Sequence, residues 1–212
     1  MVAAALAFFV GLVQGLVHGL GPDHCAALAT LGTSSRGDRF AAFRVAVRFA
    51  LGHALMLGAL AVLCVAMGIG ISEAFERWAE IAGGVVLVGL GVAALFFPSA
   101  LRHGHPHLPG HDHSHSHPPA DRSARISTAA GALMAVSGAR ALLLALPPLV
   151  VGGAFQLEAW TYLPGFALGI LVSMGAVGLL VGAGAVRLGD RLQRIAAVAA
   201  GVIGVYWIVD RL

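Results

Sequence analysis

The sequence predicts an all-α integral membrane protein: six transmembrane helices arranged as two inverted three-helix repeats, with the first helix broken at Gly19–Pro22. Three observations predict it. Of 212 residues, 58% are hydrophobic and 11% charged, and the mean hydropathy of +0.88 lies far above what the polar surface of a soluble domain permits. Six apolar runs reach the roughly 20 helical residues needed to cross a hydrocarbon core, and none shows the alternation of a β-barrel strand. A tetrapeptide also recurs: Phe49-Ala50-Leu51-Gly52 followed by Gly58-Ala59, and Phe166-Ala167-Leu168-Gly169 followed by Gly175-Ala176.

The first run, Val2 to Leu31, lacks the charged n-region and short apolar core of a secretory signal and reads as a retained span. The others are Ala41 to Ile71, Trp78 to Phe97, Ile126 to Gly153, Tyr162 to Val186 and Gln193 to Val209. Glycine is scattered through them, as suits helices that approach closely in lipid. Every cation is an arginine. Arg36, Arg39, Arg44 and Arg48 follow span one, Arg102, Arg122 and Arg125 separate spans three and four, and Arg187, Arg191 and Arg194 separate five and six. By the positive-inside rule these connections face the cytoplasm and both termini lie outside. The net charge of +3 is spread between apolar runs instead of forming a patch with interleaved aromatics, which excludes nucleic acid as a partner.

The tetrapeptide puts span five in register with span two, and a weaker echo pairs Val17-His18-Gly19 with Val136-Ser137-Gly138. Three spans per repeat is an odd number, so the halves are inverted, the arrangement of many secondary transporters. The expected units are residues 1–97, a connecting segment 98–125 and residues 126–212. The halves differ in chemistry. Ser137 stands at the register of His18 and Ile170 at that of His53, so polar function is concentrated in the first half.

His18, Asp23, His24 and His53 are the candidate metal ligands. Ionisable side chains are expensive in hydrocarbon and mark functional sites there. On a regular helix, steps of five and six residues would point His18, Asp23 and His24 apart. Pro22 breaks that regularity, and Gly19 and Gly21 tolerate unusual dihedrals, so the helix is expected to open between them. Irregular backbone at membrane depth belongs in a protein-lined cavity, where transporters bind ions. His53, central in span two, lies at matching depth. Imidazole nitrogens with one carboxylate suit Ni, Co, Zn or Cu(II) and fit Mg or Ca poorly.

His18-x4-Asp23-His24 resembles the HX4DH signature of the nickel/cobalt transporter superfamily. Gly21-Pro22-Asp23-His24-x-Ala26-Ala27-Leu28-Ala29-Thr30-Leu31 is similar to a stretch of its short, six-helix urease-accessory-type permeases, and Gly52-His53-Ala54 resembles the Gly-His pair of their next helix. The resemblance implies a nickel or cobalt permease whose first two helices supply the ligands, here His18, Asp23, His24 and His53. The Pro-Cys-Pro motif of related efflux proteins is replaced by Ser137-Gly138-Ala139-Arg140 and Pro147-Pro148, so the resemblance carries no transport direction.

Arg140 is the arginine far from either end of a span. It is a candidate charge partner that could neutralise Asp23 or repel a departing cation, and a structural pairing within the bundle suits it equally. His103, His105, His107, His111, His113, His115 and His117 crowd a Gly- and Pro-rich segment expected to be a disordered cytoplasmic loop for secondary metal capture. Cys25 and Cys64 show no CxxC pattern and read as small buried hydrophobes, and Met56, Met67 and Met174 as packing.

The expected function is alternating-access transport of Ni(II) or Co(II) as substrate, with Zn(II) fitting the same donors. No organic cofactor and no enzymatic activity are expected. Protons compete with metal for the same lone pairs, so proton-coupled exchange follows naturally, and the lack of a Walker A loop argues against an ATP-driven pump. The expected setting is a bacterial-type cytoplasmic membrane, with the metal ion and the lipid bilayer as partners. Metallochaperones, nickel-enzyme maturation proteins and a homo-oligomer are further partners compatible with this reading. Two other classes use similar parts. A transmembrane thiol-disulfide electron carrier needs a cysteine pair across the repeats, whereas Cys25 and Cys64 both lie in the first half. A metal-sensing or delivery protein for a nickel enzyme would have the His-rich loop as its working part.

Overall fold

Apolar runs that cannot leave backbone groups unpaired in lipid must be helical, and helices dominate the computed structural model, which describes residues 2–33, 39–67, 72–97, 119–145, 150–151, 154–155 and 157–212. In chain order these are α1 (Val2–Gly19), α2 (Pro22–Gly32), α3 (Arg39–Met67), α4 (Glu73–Phe96), α5 (Pro119–Ala145), α6 (Leu157–Leu188) and α7 (Asp190–Arg211). The predicted first span is indeed two helices, parted between Gly19 and Pro22. Ser72 caps α4, its hydroxyl accepting from the Phe75 N–H at 3.2 Å, while Glu73 and Glu76 complement the positive end of the helix dipole. Gly189 joins α6 to α7 at φ 53°, a conformation open to glycine and strained for other residues.

The two boundaries of α5 differ most from expectation. The fourth helix starts at Pro119, inside the segment assigned to the loop, and ends at Ala145, well short of Gly153. Pro147 and Pro148 explain the early stop, because neither can donate the next helical hydrogen bond. Beyond them Val150–Val151 pairs antiparallel with Ala154–Phe155. Residues 98–118, with all seven loop histidines, lie outside the described residues.

Among the described residues, five helices are long and apolar enough to cross a membrane: α1, α3, α4, α6 and α7. Their outer faces expose large apolar side chains, including Leu6, Phe9, Leu55, Val92, Leu180 and Val202, which makes this a multi-pass membrane protein by construction.

The helices associate in pairs: α1 with α6, α3 with α5, and α4 with α7, while α3 also packs along α6. Small residues set the closest approaches, as expected where van der Waals packing drives association. A Cβ on Gly15 would overlap the Phe166 carbonyl oxygen, and one on Gly169 would overlap that of Leu12. The α3–α5 crossing is built alike: Gly131 backs onto the Phe49 carbonyl and Gly52 onto that of Thr128. These matched crossings keep 49 and 52 in register with 166 and 169, as read from the tetrapeptide. The same crossings seat residues 12 and 15 of α1 against α6 as they seat 128 and 131 of α5 against α3.

Contacts also give directions. Gly11, Gly15 and Gly19 meet Tyr162, Phe166 and Ser173 in turn, so α1 and α6 run the same way. Gly175 meets Phe43 while Phe166 lies beside the His53 cluster, so α3 and α6 run oppositely. Gly84 against Gly204, Gly91 against Ala197 and the Gln193 amide on the Ala94 carbonyl make α4 and α7 antiparallel, with a Glu80–Arg211 ion pair at one end.

Candidate metal centre

The break in the first span is a single tight turn. The Leu20 and Gly21 N–H groups donate to the Val17 and His18 carbonyls at 3.2 and 3.0 Å, and the Cys25 N–H resumes helical bonding to the Gly21 carbonyl at 2.9 Å. Pro22, the first residue of α2, has no N–H to leave unpaired. The glycines serve space and not dihedral freedom. Gly21 has φ −52° and ψ 143°, the extended geometry any residue adopts before proline. Its Cβ, however, would stand 2.6 Å from Asp23 Oδ1 and 2.9 Å from His24 Nδ1. A Cβ on Gly19 would overlap Ser173 Oγ on α6.

The turn brings His18 and His24 onto one side, facing His53 from α3. His18 Nε2 lies 3.0 Å and His24 Nε2 3.3 Å from His53 Nε2, and one ligand nitrogen from each of the three falls within 4.8 Å of the others. His24 is 3% and His53 0% exposed, while His18 is half-buried. Asp23 is placed one step behind, not among the nitrogens: its Oδ1 accepts a hydrogen bond from His24 Nδ1 at 2.9 Å. His53 Nδ1 donates to the Gly131 carbonyl on α5 at 3.1 Å.

These outer bonds set the tautomers. A carboxylate and a carbonyl only accept, so Nδ1 carries a proton in both His24 and His53, and in the neutral rings each Nε2 presents a lone pair. Two lone pairs 3.3 Å apart repel unless a proton or a metal cation stands between them. His18 can donate to one and leaves the other unsatisfied. Burial makes that arrangement unfavourable without an added positive charge. The carboxylate-His and carbonyl-His pairs are the outer support that metal-binding imidazoles use for orientation.

Aromatic rings bound the cluster on both sides. Phe166 lies against His18 with centroids 5.5 Å apart, and behind it Tyr162 stacks at 6.0 Å and donates its hydroxyl proton to Gln14 Oε1. Phe49 stacks on His53 at 6.1 Å and meets the edge of His24 at 6.4 Å. These rings were not among the sequence-predicted site residues, although the repeated tetrapeptide that begins with each was the signal that could have found them. Of the remaining sequence-predicted residues, the side chain of Arg140 and residues 103–117 lie outside the described residues. Cys25 and Cys64 are free thiols, the former half-buried with Sγ 3.6 Å from the Leu20 carbonyl oxygen.

No family model, curated protein or solved structure matches this chain.

Proposed function

We propose that this protein carries a divalent transition-metal ion, Ni(II) or Co(II), across the membrane through the His18–His24–His53 site. The observation that carries the reading is the convergence of three buried or half-buried Nε2 atoms, two with lone pairs committed by their Nδ1 partners, at a helix break inside an apolar bundle. Three neutral imidazoles suit a borderline ion, and Zn(II) would be accommodated as well. In this reading Asp23 orients His24 and balances the ion's charge without binding it directly.

The pairing of helices supports a six-span, inverted-repeat architecture, with α1 and α2 as span one and α5 as span four. Matched crossings relate α3 to α6, and the proposed mates α3/α6 and α4/α7 each run in opposite directions. Arginine placement orients the bundle with both termini outside and residues 98–118 in the cytoplasm, where the histidines of 103–117 would collect metal and exchange it with the membrane site. Alternating access about the broken helix would move the ion, with protons exchanging for it.

Flux of Ni(II), Co(II) and Zn(II) into proteoliposomes holding only this protein tests the proposal. Saturable flux is expected, lost in His18→Ala and His53→Ala. Metal binding without flux in the unmodified protein would leave a delivery or sensing role instead.

A further inference from the structure

The two phenylalanines of the repeated tetrapeptide pack against different members of the three-histidine cluster, Phe166 against His18 and Phe49 against His53 and His24. Side chains on a helix lean toward its N-terminus. Because α3 and α6 are antiparallel, the rings of Phe49 and Phe166 lean away from the cluster in opposite directions. Phe166 lies between His18 and Tyr162, one turn nearer the N-terminal end of α6. Phe49 covers His53 and His24 from the other side. Both are closed off from solvent, at 3% and 0% exposure. Each is also pinned at its backbone, because its carbonyl sits at the closest approach of a helix pair, against Gly15 for Phe166 and Gly131 for Phe49.

The ligands are divided between the same two helix pairs. His18 belongs to α1, locked to α6, and His53 belongs to α3, locked to α5 and bonded to the Gly131 carbonyl. An ion bound by both therefore ties the pairs together. A tilt of one pair against the other lifts one phenylalanine from the cluster while pressing the other onto it. We propose that Phe49 and Phe166 are the two gates of this site, each closing one end, with Tyr162 as a second layer behind Phe166. The proposal rests on the transport reading for its purpose, but the gates are defined by access to the site and are testable without flux.

The test places a thiol at position 18 by His18→Cys in a Cys25→Ser/Cys64→Ala background. Its reaction with a membrane-impermeant maleimide is timed in right-side-out and inside-out membrane vesicles of the full chain. Phe166→Ala is expected to accelerate labelling about tenfold or more from the face at the N-terminal end of α6 alone, and Phe49→Ala from the opposite face alone. Combining Phe166→Ala with Tyr162→Ala should accelerate it further. The milder Phe49→Leu and Phe166→Leu should show the same face selectivity at smaller amplitude, so the test survives if an alanine variant misfolds. Co(II) absorption of the single Phe variants with His18 intact reports whether the site still assembles. Acceleration from the same face for both positions, or from neither face in variants that still bind Co(II), overturns the gating proposal. Absence of flux in the unmodified protein would overturn transport while leaving the labelling result to stand by itself.

Discussion

Phe49-Ala50-Leu51-Gly52 on α3 and Phe166-Ala167-Leu168-Gly169 on α6 are the same four residues in the same structural part. In both, the phenylalanine carbonyl meets a glycine of the neighbouring helix and the glycine backs onto a carbonyl in return. The next residue is His53 in one half and Ile170 in the other, each fully buried. Two similar crossings thus carry different chemistry. Backbone approach governed by glycine builds the scaffold, and a single following side chain decides whether a buried imidazole or an apolar plug stands beside the crossing.

Making the halves alike should break the site and spare the scaffold. His53→Ile, which copies the α6 sequence into α3, is expected to weaken Ni(II) or Co(II) binding more than about a hundredfold, beyond the 10- to 100-fold typical of lost outer support. Titration in detergent measures the affinity, and an unchanged thermal midpoint would show that the crossing persists. A midpoint that collapses instead would mean that the His53–Gly131 bond holds the two helices together.

Acid should act on the same site. In the transport reading metal and proton compete for the Nε2 lone pairs, so apparent affinity should fall as pH is lowered, releasing metal as protons bind. A pH-independent affinity would remove the imidazoles from the ligand set. Asp23→Asn is gentler, because it keeps a group that accepts from His24 Nδ1 while deleting the charge. A loss of about 10- to 100-fold is expected, and a loss as large as that of His53→Ile would make Asp23 a direct ligand.

The scaffold is broken by Gly131→Ala and Gly15→Ala, whose methyl groups would overlap the Phe49 and Phe166 carbonyl oxygens. Each should destabilise by about 1–3 kcal/mol in thermal unfolding. Similar losses at the two positions would sharpen the equivalence of the crossings. The smallest effect is expected of Gly58→Ala and Gly89→Ala, where a Cβ meets nothing within 4 Å. Both should change stability by less than about 0.5 kcal/mol.

Much of the fold was legible because hydropathy and proline act locally. Pro22 parted the first span where expected, and the ends of α3, α4, α6 and α7 follow their apolar runs within a few residues. Pro147 and Pro148 carried an equally local message, the end of α5, which the apolar character of the surrounding run obscured. The site was legible in its residue types: His18, His24 and His53 were all chosen by the cost of placing imidazole in hydrocarbon. The role of Asp23 was not, since sequence adjacency to His24 does not reveal which of its partners it faces.

By itself, then, the sequence determined where most helices run, where the first one breaks and which imidazoles enter the apolar bundle. Each of these depends on a residue and its near neighbours. The tertiary structure alone decided that three nitrogens meet while a carboxylate stands behind them, that Gly21 is required for space and not for its dihedrals, and that Phe166 packs against His18 while Phe49 packs against His53 and His24. The physical reason is that helices in lipid gain little from hydrophobicity when they associate. Their partners and registers are chosen by how closely two backbones can approach, a property shared between distant segments and written in neither one alone.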